Sequence, residues 1–388
     1  MQEQLFSKRN CEISLEEIFR AYFDCRKNKR NKKDSIKFEL NFESEVIRLW
    51  NEINSRSYEI SPLDVFVIKR PVKREIFAAK FRDRIVHHFI INKINYLFEK
   101  EFIFDTYSCR KGKGTHFGIR RINKFIRQCS HNYKKECWVL KLDIKGFFMH
   151  INKGILLSKI NQFIIEKYKE KDVDNILWLC QKTINNNPKN NCKFKSFKKE
   201  WVSLPKSKSL FFSPDNTGLP VGNYTNQIFA NFYLNSLDHF IKSKIRFRYY
   251  GRYVDDLVLI DNDKEKLKES IVLIQDFLSK NLKLTINPRK IYFQQYFKGV
   301  EFLGCYILPY RIYISKRAKG SFFNSIQKHN NVLERNKKPK EEEIDLFRSS
   351  LNSYLGLMSH YNTKKLRNKM LSMVNKNMKL IALFSTLW

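Results

Sequence analysis

The chain has 388 residues, with 74 Lys and Arg against 39 Asp and Glu, a formal net charge of +35. That length supports a large core and more than one subdomain. Such an excess of positive charge repels itself unless a polyanion is near, so nucleic acid is the first expected partner; a generally basic protein or an anionic-lipid binder is the alternative. No amphipathic stretch supports the lipid version, and no apolar run approaches the roughly 20 residues that cross a bilayer. The N-terminal MQEQLFSKRN lacks the apolar centre of a secretion signal. Cysteines at 11, 25, 109, 129, 137, 180, 192 and 305 form no CxxC pair, which argues against a zinc site or a disulfide framework. The expectation is a reduced, cytoplasmic protein without a membrane partner.

Residues 1 to 60 read as a helical N-terminal extension. Leu15, Ile18, Phe19 and Tyr22 recur at helical spacing, as do Val46, Leu49, Trp50 and Ile53. Between them, the basic run from Arg26 to Lys33 is either a solvated loop or a phosphate-contacting arm. Strands are predicted around Val65 to Ile68 and around Ile76 and Phe77, then a helix from near Phe81 through Ile94. A basic loop with Arg110, Lys111, Lys113, Arg120 and Arg121 leads into a further helix. The run Trp138-Val139-Leu140-Lys141-Leu142 is β-like and ends in Asp143. The Asn- and Lys-rich stretch 184 to 208 reads as an exposed, mobile insertion. After Gly218-Leu219-Pro220-Val221-Gly222, an amphipathic helix should turn Ile228, Phe229, Phe232, Tyr233 and Leu237 inward. Apolar runs flank Val254-Asp255-Asp256, a helix covers 264 to 280, and strands around Leu284 and Phe302 to Leu308 complete a sheet. From Lys316 onward the pattern is helical, broken at Lys338-Pro339 and restarted by Glu341-Glu342-Glu343, acids that suit a helix N-terminus.

Adjacent carboxylates in a half-buried turn repel, and make little sense unless a cation sits between them. Asp143 shares a strand face with Lys141 and Val139, while Leu140 and Leu142 point the other way. Asp143, Asp255 and Asp256 converging from two strand ends are what a two-Mg²⁺ phosphoryl-transfer site needs. The alternative is ordinary turn aspartates. His87, His88 and His116 lack metal-ligand spacing with any cysteine.

The order Leu142-Asp143-Ile144-Lys145-Gly146-Phe147-Phe148, Gly218 through Asn223, Tyr253-Val254-Asp255-Asp256 and Glu301-Phe302-Leu303-Gly304 resembles the motif series of reverse transcriptases over roughly residues 60 to 370. Arg74 through Ala79, Phe81 through His88, Cys109 through His116, Gly222-Asn223 with Thr225 and Gln227, and Ser353-Tyr354-Leu355-Gly356 are similar to bacterial enzymes of diversity-generating retroelements and related antiviral-defence enzymes. Tyr224 and Asn226 depart from that pattern, which usually has Leu and Ser there. The resemblance implies an α+β right-hand polymerase. Fingers would span 61 to 135, a palm with an antiparallel sheet 136 to 315, and a helical thumb with the tail 316 to 388. Segment 184 to 208 and some fingers-like elements would interrupt the palm.

The resemblance also implies roles. Asp143 and Asp255 hold two Mg²⁺ ions, Mn²⁺ substituting, with Asp256 beside them and the Ile144 backbone oxygen completing the coordination. Phe148 excludes the ribose 2′-hydroxyl, with Phe147 as its rival. Lys69 and Arg74 clamp the incoming triphosphate, with Arg70 and Lys73 as neighbouring alternatives. Pro220, Val221 and Gly222 lie under the nascent base pair, and an aliphatic Val221 is associated with error-prone copying. Lys290 either protonates the leaving pyrophosphate or is a plain surface lysine. Phe302, Leu303 and Gly304 form a primer grip. Arg82 and Arg84 pair with Asp83 or meet template phosphates, and Arg110, Lys111 and Lys113 contact nucleic acid. Expected partners are a structured noncoding RNA template, a primer, its cDNA product and dNTPs, with an accessory protein or a second copy as further candidates. Two alternatives stand beside this reading: an antiviral enzyme making repetitive DNA, and a catalytically silent RNA-binding scaffold.

Overall fold

A computed structural model describes residues 13–27, 29–69, 72–335 and 340–375. Helix α1 (Leu15–Arg26) opens on a capping box in which Ser14 and Glu17 satisfy each other's backbone N–H. Helices α2 (Lys33–Glu39) and α3 (Phe42–Asn54) follow. Tyr22, Phe38, Phe42 and Phe81 close this region as one aromatic cluster. Strands β1 (Leu63–Ile68) and β2 (Arg74–Ala78) form an antiparallel hairpin with Ile68 opposite Arg74. The long helix α4 (Phe81–Glu101) is buried on most sides, and α5 (Thr115–Cys129) is amphipathic.

Strand β3 (Trp138–Asp143) leads into a one-turn helix α6 (Phe147–His150), then α7 (Lys153–Lys167) and α8 (Val173–Asn185). The Asn- and Lys-rich segment that follows is largely exposed, as expected, but it is also tied into a sheet. Its residues Cys192–Phe194 form β4, which pairs parallel with β1 as the edge of a β2-β1-β4 sheet. The physical reason is Glu75, buried on β2. It accepts hydrogen bonds from Trp201 Nε1 at 2.7 Å, Ser209 Oγ at 2.8 Å and the Leu210 N–H at 2.7 Å. A buried carboxylate needs such donors, and they come from Trp201 within the segment and from the two residues just after it.

Helices α9 (Tyr224–Tyr233) and α10 (Asn235–His239) bury the inward set expected of them. Strands β5 (Tyr249–Tyr253) and β6 (Asp256–Asp261) form the acidic hairpin, and α11 (Lys264–Leu282) returns over it. The sheet runs β5-β6-β3-β7, every neighbour antiparallel, with β7 at Tyr292–Gln295. The strand expected around Leu284 is therefore eight residues later. Leu284 is a packing residue, and Ile286 makes only a single bridge to Ile144. One face of the sheet, with Leu140, Leu142, Leu257 and Leu259, joins the main helical core. The other, with Val139, Val258 and Ile260, packs on α5 and on a small sheet of β8 (Val300–Phe302), β9 (Cys305–Leu308) and β10 (Arg311–Ile314).

Helices α12 (Lys316–Arg335), α13 (Glu341–Ser359) and α14 (Lys364–Ser372) share their own core around Phe322, Phe347, Leu351 and Met358. His116 on α5 meets this bundle through a 2.8 Å hydrogen bond with the Tyr361 hydroxyl. The expected break at Lys338-Pro339 lies outside the described residues. Among the described residues, no helix is long and apolar enough to cross a membrane.

Candidate active site

The β3–β6 register puts Asp143 directly opposite Asp256. Tyr253 on β5 pairs with Asp256 on β6, so Val254 and Asp255 form a two-residue turn beside that pair. Asp255 and Asp256 are half-buried and Asp143 is buried. Burial first, then the charges of Asp256 and Asp143, push the Asp255 carboxyl up from 3.8 to about 7. Burial likewise raises Asp256, against the pull of Lys141. The turn concentrates negative charge where water cannot fully screen it.

The turn is also strained. Val254 sits at φ +54°, a left-handed conformation that costs a β-branched residue about 1–2 kcal/mol. Beneath it lies Arg252, wholly buried with Asp238. The guanidinium makes a forked pair with that carboxylate, Nε to Oδ1 at 2.7 Å and a second bond to Oδ2 at 2.6 Å. It donates onward to the Val254 carbonyl at 2.9 Å and to the Asn231 backbone oxygen at 3.1 Å. The Tyr250 hydroxyl (2.6 Å) and Thr106 (3.2 Å) fill the remaining acceptor sites of Asp238. Arg252 therefore ties the strained turn to α9, to α10 and to the Thr106 strand edge. Sequence reasoning missed it, although a charged residue inside an apolar strand is a readable signal.

Asp143 has partners for both oxygens. Asn287 donates to Oδ1 at 3.1 Å, and Lys290 Nζ lies 2.8 Å from Oδ2. Lys290 therefore sits at the carboxylates, its side chain 57% exposed. Ile144 donates its N–H to the Asp255 carbonyl at 3.3 Å, which fixes the β3 end against the turn. Among the described residues no group of three or more acidic, histidine or cysteine side chains stands close enough, as arranged here, to hold a metal ion. The donor set is nevertheless all carboxylate, the chemistry of a hard divalent cation, and its repulsion is what such a cation would cancel. Binding there would exchange the Lys290 ammonium for the ion.

A second set gathers beside the carboxylates. Gly146, at φ +56°, turns the chain after β3, so that Phe147 enters the core and Phe148 stays half-exposed. The Phe148 carbonyl accepts from Leu219 at 2.8 Å, and the Val221 carbonyl accepts from Phe77 on β2 at 2.9 Å. Asn226, one of the departures from the pattern, donates to the Pro220 carbonyl at 3.0 Å. Gly222 is exposed at φ +120°, and a side chain there would meet Ile76 and the Phe77 carbonyl at 3.0–3.2 Å. The structure thus brings Phe148, Pro220, Val221 and Gly222 together with β2. Arg74 is exposed at the start of β2, whereas Lys69 is paired with Glu200 at 3.2 Å. Leu303 and Gly304, at φ +49° and +82°, form the tight turn between β8 and β9, with Phe302 buried beneath. Lys141 anchors that turn's strand through the Glu301 carbonyl.

Several expected phosphate contacts are spent internally. Arg82 pairs with Glu52 and, as expected, with Asp83 at 3.9 Å, a carboxylate that the Tyr58 hydroxyl and the Ser61 N–H also hold. Arg84 donates to the Ala79 carbonyl. Arg110 is almost fully buried against Glu99 and the Ile103 carbonyl. Lys113 reaches the Phe104 carbonyl, while Lys111 is exposed.

The family model described as reverse transcriptase (RNA-dependent DNA polymerase) matches residues 71–307, more than half of the chain. The chain belongs to the reverse transcriptase family. Its fold is the right-hand polymerase, an α+β arrangement. Among solved structures it is similar to apo telomerase from Candida tropicalis, with a TM-score of 0.50 and 14% identity, covering 87% of this chain and 63% of that one. A form of that telomerase truncated from its C-terminal domain gives 0.47 and 15%, covering 68% and 59%. Telomerase from Candida albicans in complex with a telomeric RNA fragment gives 0.46 and 10%, covering 86% and 67%. This reverse transcriptase chain thus spans about two thirds or less of those proteins. No curated protein sequence matches it.

A carboxyl whose pKa is higher folded than unfolded costs stability as pH rises between the two values. Metal-free protein should lose stability between about pH 4 and pH 7 as Asp255 ionises. Asp255→Asn should then raise the EDTA-treated melting temperature at pH 8 by roughly 2–5 °C, and by less at pH 5; thermal melts at both pH values check this. Arg252→Lys keeps the charge but loses the fork. It should cost about 2–4 kcal/mol of stability and lower kcat by at least about tenfold, with KM for nucleotide moving less than about threefold. Urea melts and steady-state kinetics at a permissive temperature would show it.

Proposed function

We propose that the chain is an RNA-directed DNA polymerase that extends a primer 3′-hydroxyl with dNTPs. The single observation that carries this is the placement of Asp143 opposite Asp256, with Asp255 in the adjoining strained turn. Residues 61–135 serve as fingers, 136–315 as the palm and 316–388 as the thumb. The segment around β4 belongs physically with the fingers sheet.

Asp143, Asp255 and Asp256 would hold two divalent ions, Mg²⁺ with Mn²⁺ as a substitute, beside the Ile144 backbone. Such ions supply a lowered pKa at the 3′-hydroxyl and charge neutralisation at the triphosphate. The protein's own part is positional. Arg252 fixes the turn, so the carboxylates need not reorganise during reaction. Arg74, and Lys69 once it leaves Glu200, bind the triphosphate. Phe148 closes the space beside the ribose 2′ position. Pro220, Val221 and Gly222 offer a flat backbone ledge to the base pair, and Val221 brings no side-chain hydrogen bond to select it. Lys290, displaced from Asp143, can hand its proton to the leaving pyrophosphate. Phe302, Leu303 and Gly304 press on the primer backbone.

The retroelement resemblance favours an RNA template from the same locus. The antiviral reading differs in its product, a repetitive DNA that needs few kinds of nucleotide. The decisive experiment is dNTP incorporation with Mg²⁺ on a supplied RNA template and primer, each dNTP alone and all four together. Incorporation should require all four and fall at least about 10³-fold in Asp255→Ala/Asp256→Ala. Incorporation satisfied by one or two dNTPs on co-purified RNA would support the antiviral product. Wild-type activity no higher than the double variant's would leave the silent scaffold.

A further inference from the structure

The segment after α8 has a surface that the polymerase site does not use. Within residues 192–212, Phe194 is 51% exposed, Phe197 74%, Phe212 59% and Val202 86%. Lys193, Lys195, Lys199, Lys206 and Lys208 are exposed around them. Against those five lysines the segment holds one acid, Glu200. Lys199 Nζ stands 5.5 Å from the Phe197 ring centre, and Lys206 Nζ stands 5.5 Å from that of Phe212. Exposed rings of this number are costly in water unless something covers them.

The surface is built on a firm base. Phe194 stacks on Phe211 at 5.6 Å with 12° between the rings, and Phe211 packs on the buried Phe77 at 5.6 Å. Trp201, fixed by Glu75, braces Phe194 edge-on at 5.4 Å. The same segment reaches the catalytic strand end. The Ser207 carbonyl crowds Gly146, three residues after Asp143, so closely that a methyl group there would come within 3.0 Å.

We propose that the outer surface of residues 192–212 binds unpaired nucleotides of the template strand, with Phe197 and Phe212 stacking on bases and the lysines beside them meeting phosphates. Aromatic platforms flanked by cations are the chemistry that recognises single strands, because only unpaired bases offer both faces. A protein partner fits poorly, since lysine is depleted from protein interfaces. A lipid surface fits poorly too, because the segment is short turns and an edge strand, not an amphipathic helix. The name of the strand rests on the polymerase reading; the binding chemistry does not.

Fluorescence anisotropy with a short oligouridine, a matched RNA duplex and anionic vesicles tests the proposal, each across a salt series. Phe197→Ala/Phe212→Ala should weaken oligouridine binding by at least about tenfold with an unchanged salt slope. Lys199→Gln/Lys206→Gln should flatten that slope by about 1.4. Both should leave duplex affinity, melting temperature and addition of a first nucleotide on a template with a minimal overhang at wild-type levels. Oligouridine affinities within about twofold of wild type in both variants would overturn the proposal. So would a parallel loss on the duplex, or a loss confined to vesicles. If the wild-type chain adds no nucleotide while oligouridine binding falls as expected, the single-strand surface stands and the polymerase reading fails.

Discussion

A guanidinium buried beneath a β-turn is what the rest of the site depends on. Arg252 and Asp238 are both out of water, a state that costs several kcal/mol per ion unless every hydrogen-bonding position is filled. Here the fork, Tyr250, Thr106, Asn231 and the Val254 carbonyl fill them. A pair of this kind adds little net stability, so its value lies in the geometry it enforces. It holds Val254 in a conformation that a free hairpin would leave, and it does so next to carboxylates that repel one another. Breaking the pair leaves an uncompensated buried charge, which makes the arrangement all-or-none.

Strain and repulsion therefore meet at one place, and both are resolved by outside contacts. The turn is held from below by Arg252. Asp143 is held from the side by Lys290 and Asn287, so the protein supplies its own positive charge where a metal would supply more. The elements beside the carboxylate strand are tied in the same manner. The 218–222 loop is bonded to Phe77 on one side and to the Phe148 carbonyl on the other. Glu75 fastens the 192–212 segment to the back of the same hairpin. One hairpin, β1–β2, thus holds both the 218–222 loop and the aromatic strip.

Much of this was legible in the sequence where periodicity and motif order agreed. The acidic hairpin, the helix after the glycine loop and the carboxylate at the end of β3 were each marked by an apolar run that stops at a charge or a glycine. The failures have a common physical cause. Composition marked 184–208 as an exposed, mobile insertion and gave no sign of its tie to the sheet, because nothing local shows that Glu75, over a hundred residues earlier, needs Trp201 and the neighbouring Ser209. Basic residues such as Arg110 and Arg82 look alike whether they face phosphate or a half-buried glutamate, and pairing at a distance decides which. Leu284 has the apolarity of a strand, but Lys283 in the left-handed conformation turns the chain so that only Ile286 bridges.

The most direct test of the central claim is anomalous diffraction from crystals of the full chain soaked in Mn²⁺. The account predicts Mn²⁺ peaks bounded by Asp143, Asp255 and Asp256, with Lys290 moved off Asp143 and the Arg252–Val254 contact unchanged. Mn²⁺ bound elsewhere, with Lys290 still on Asp143 at saturating ion, would contradict it.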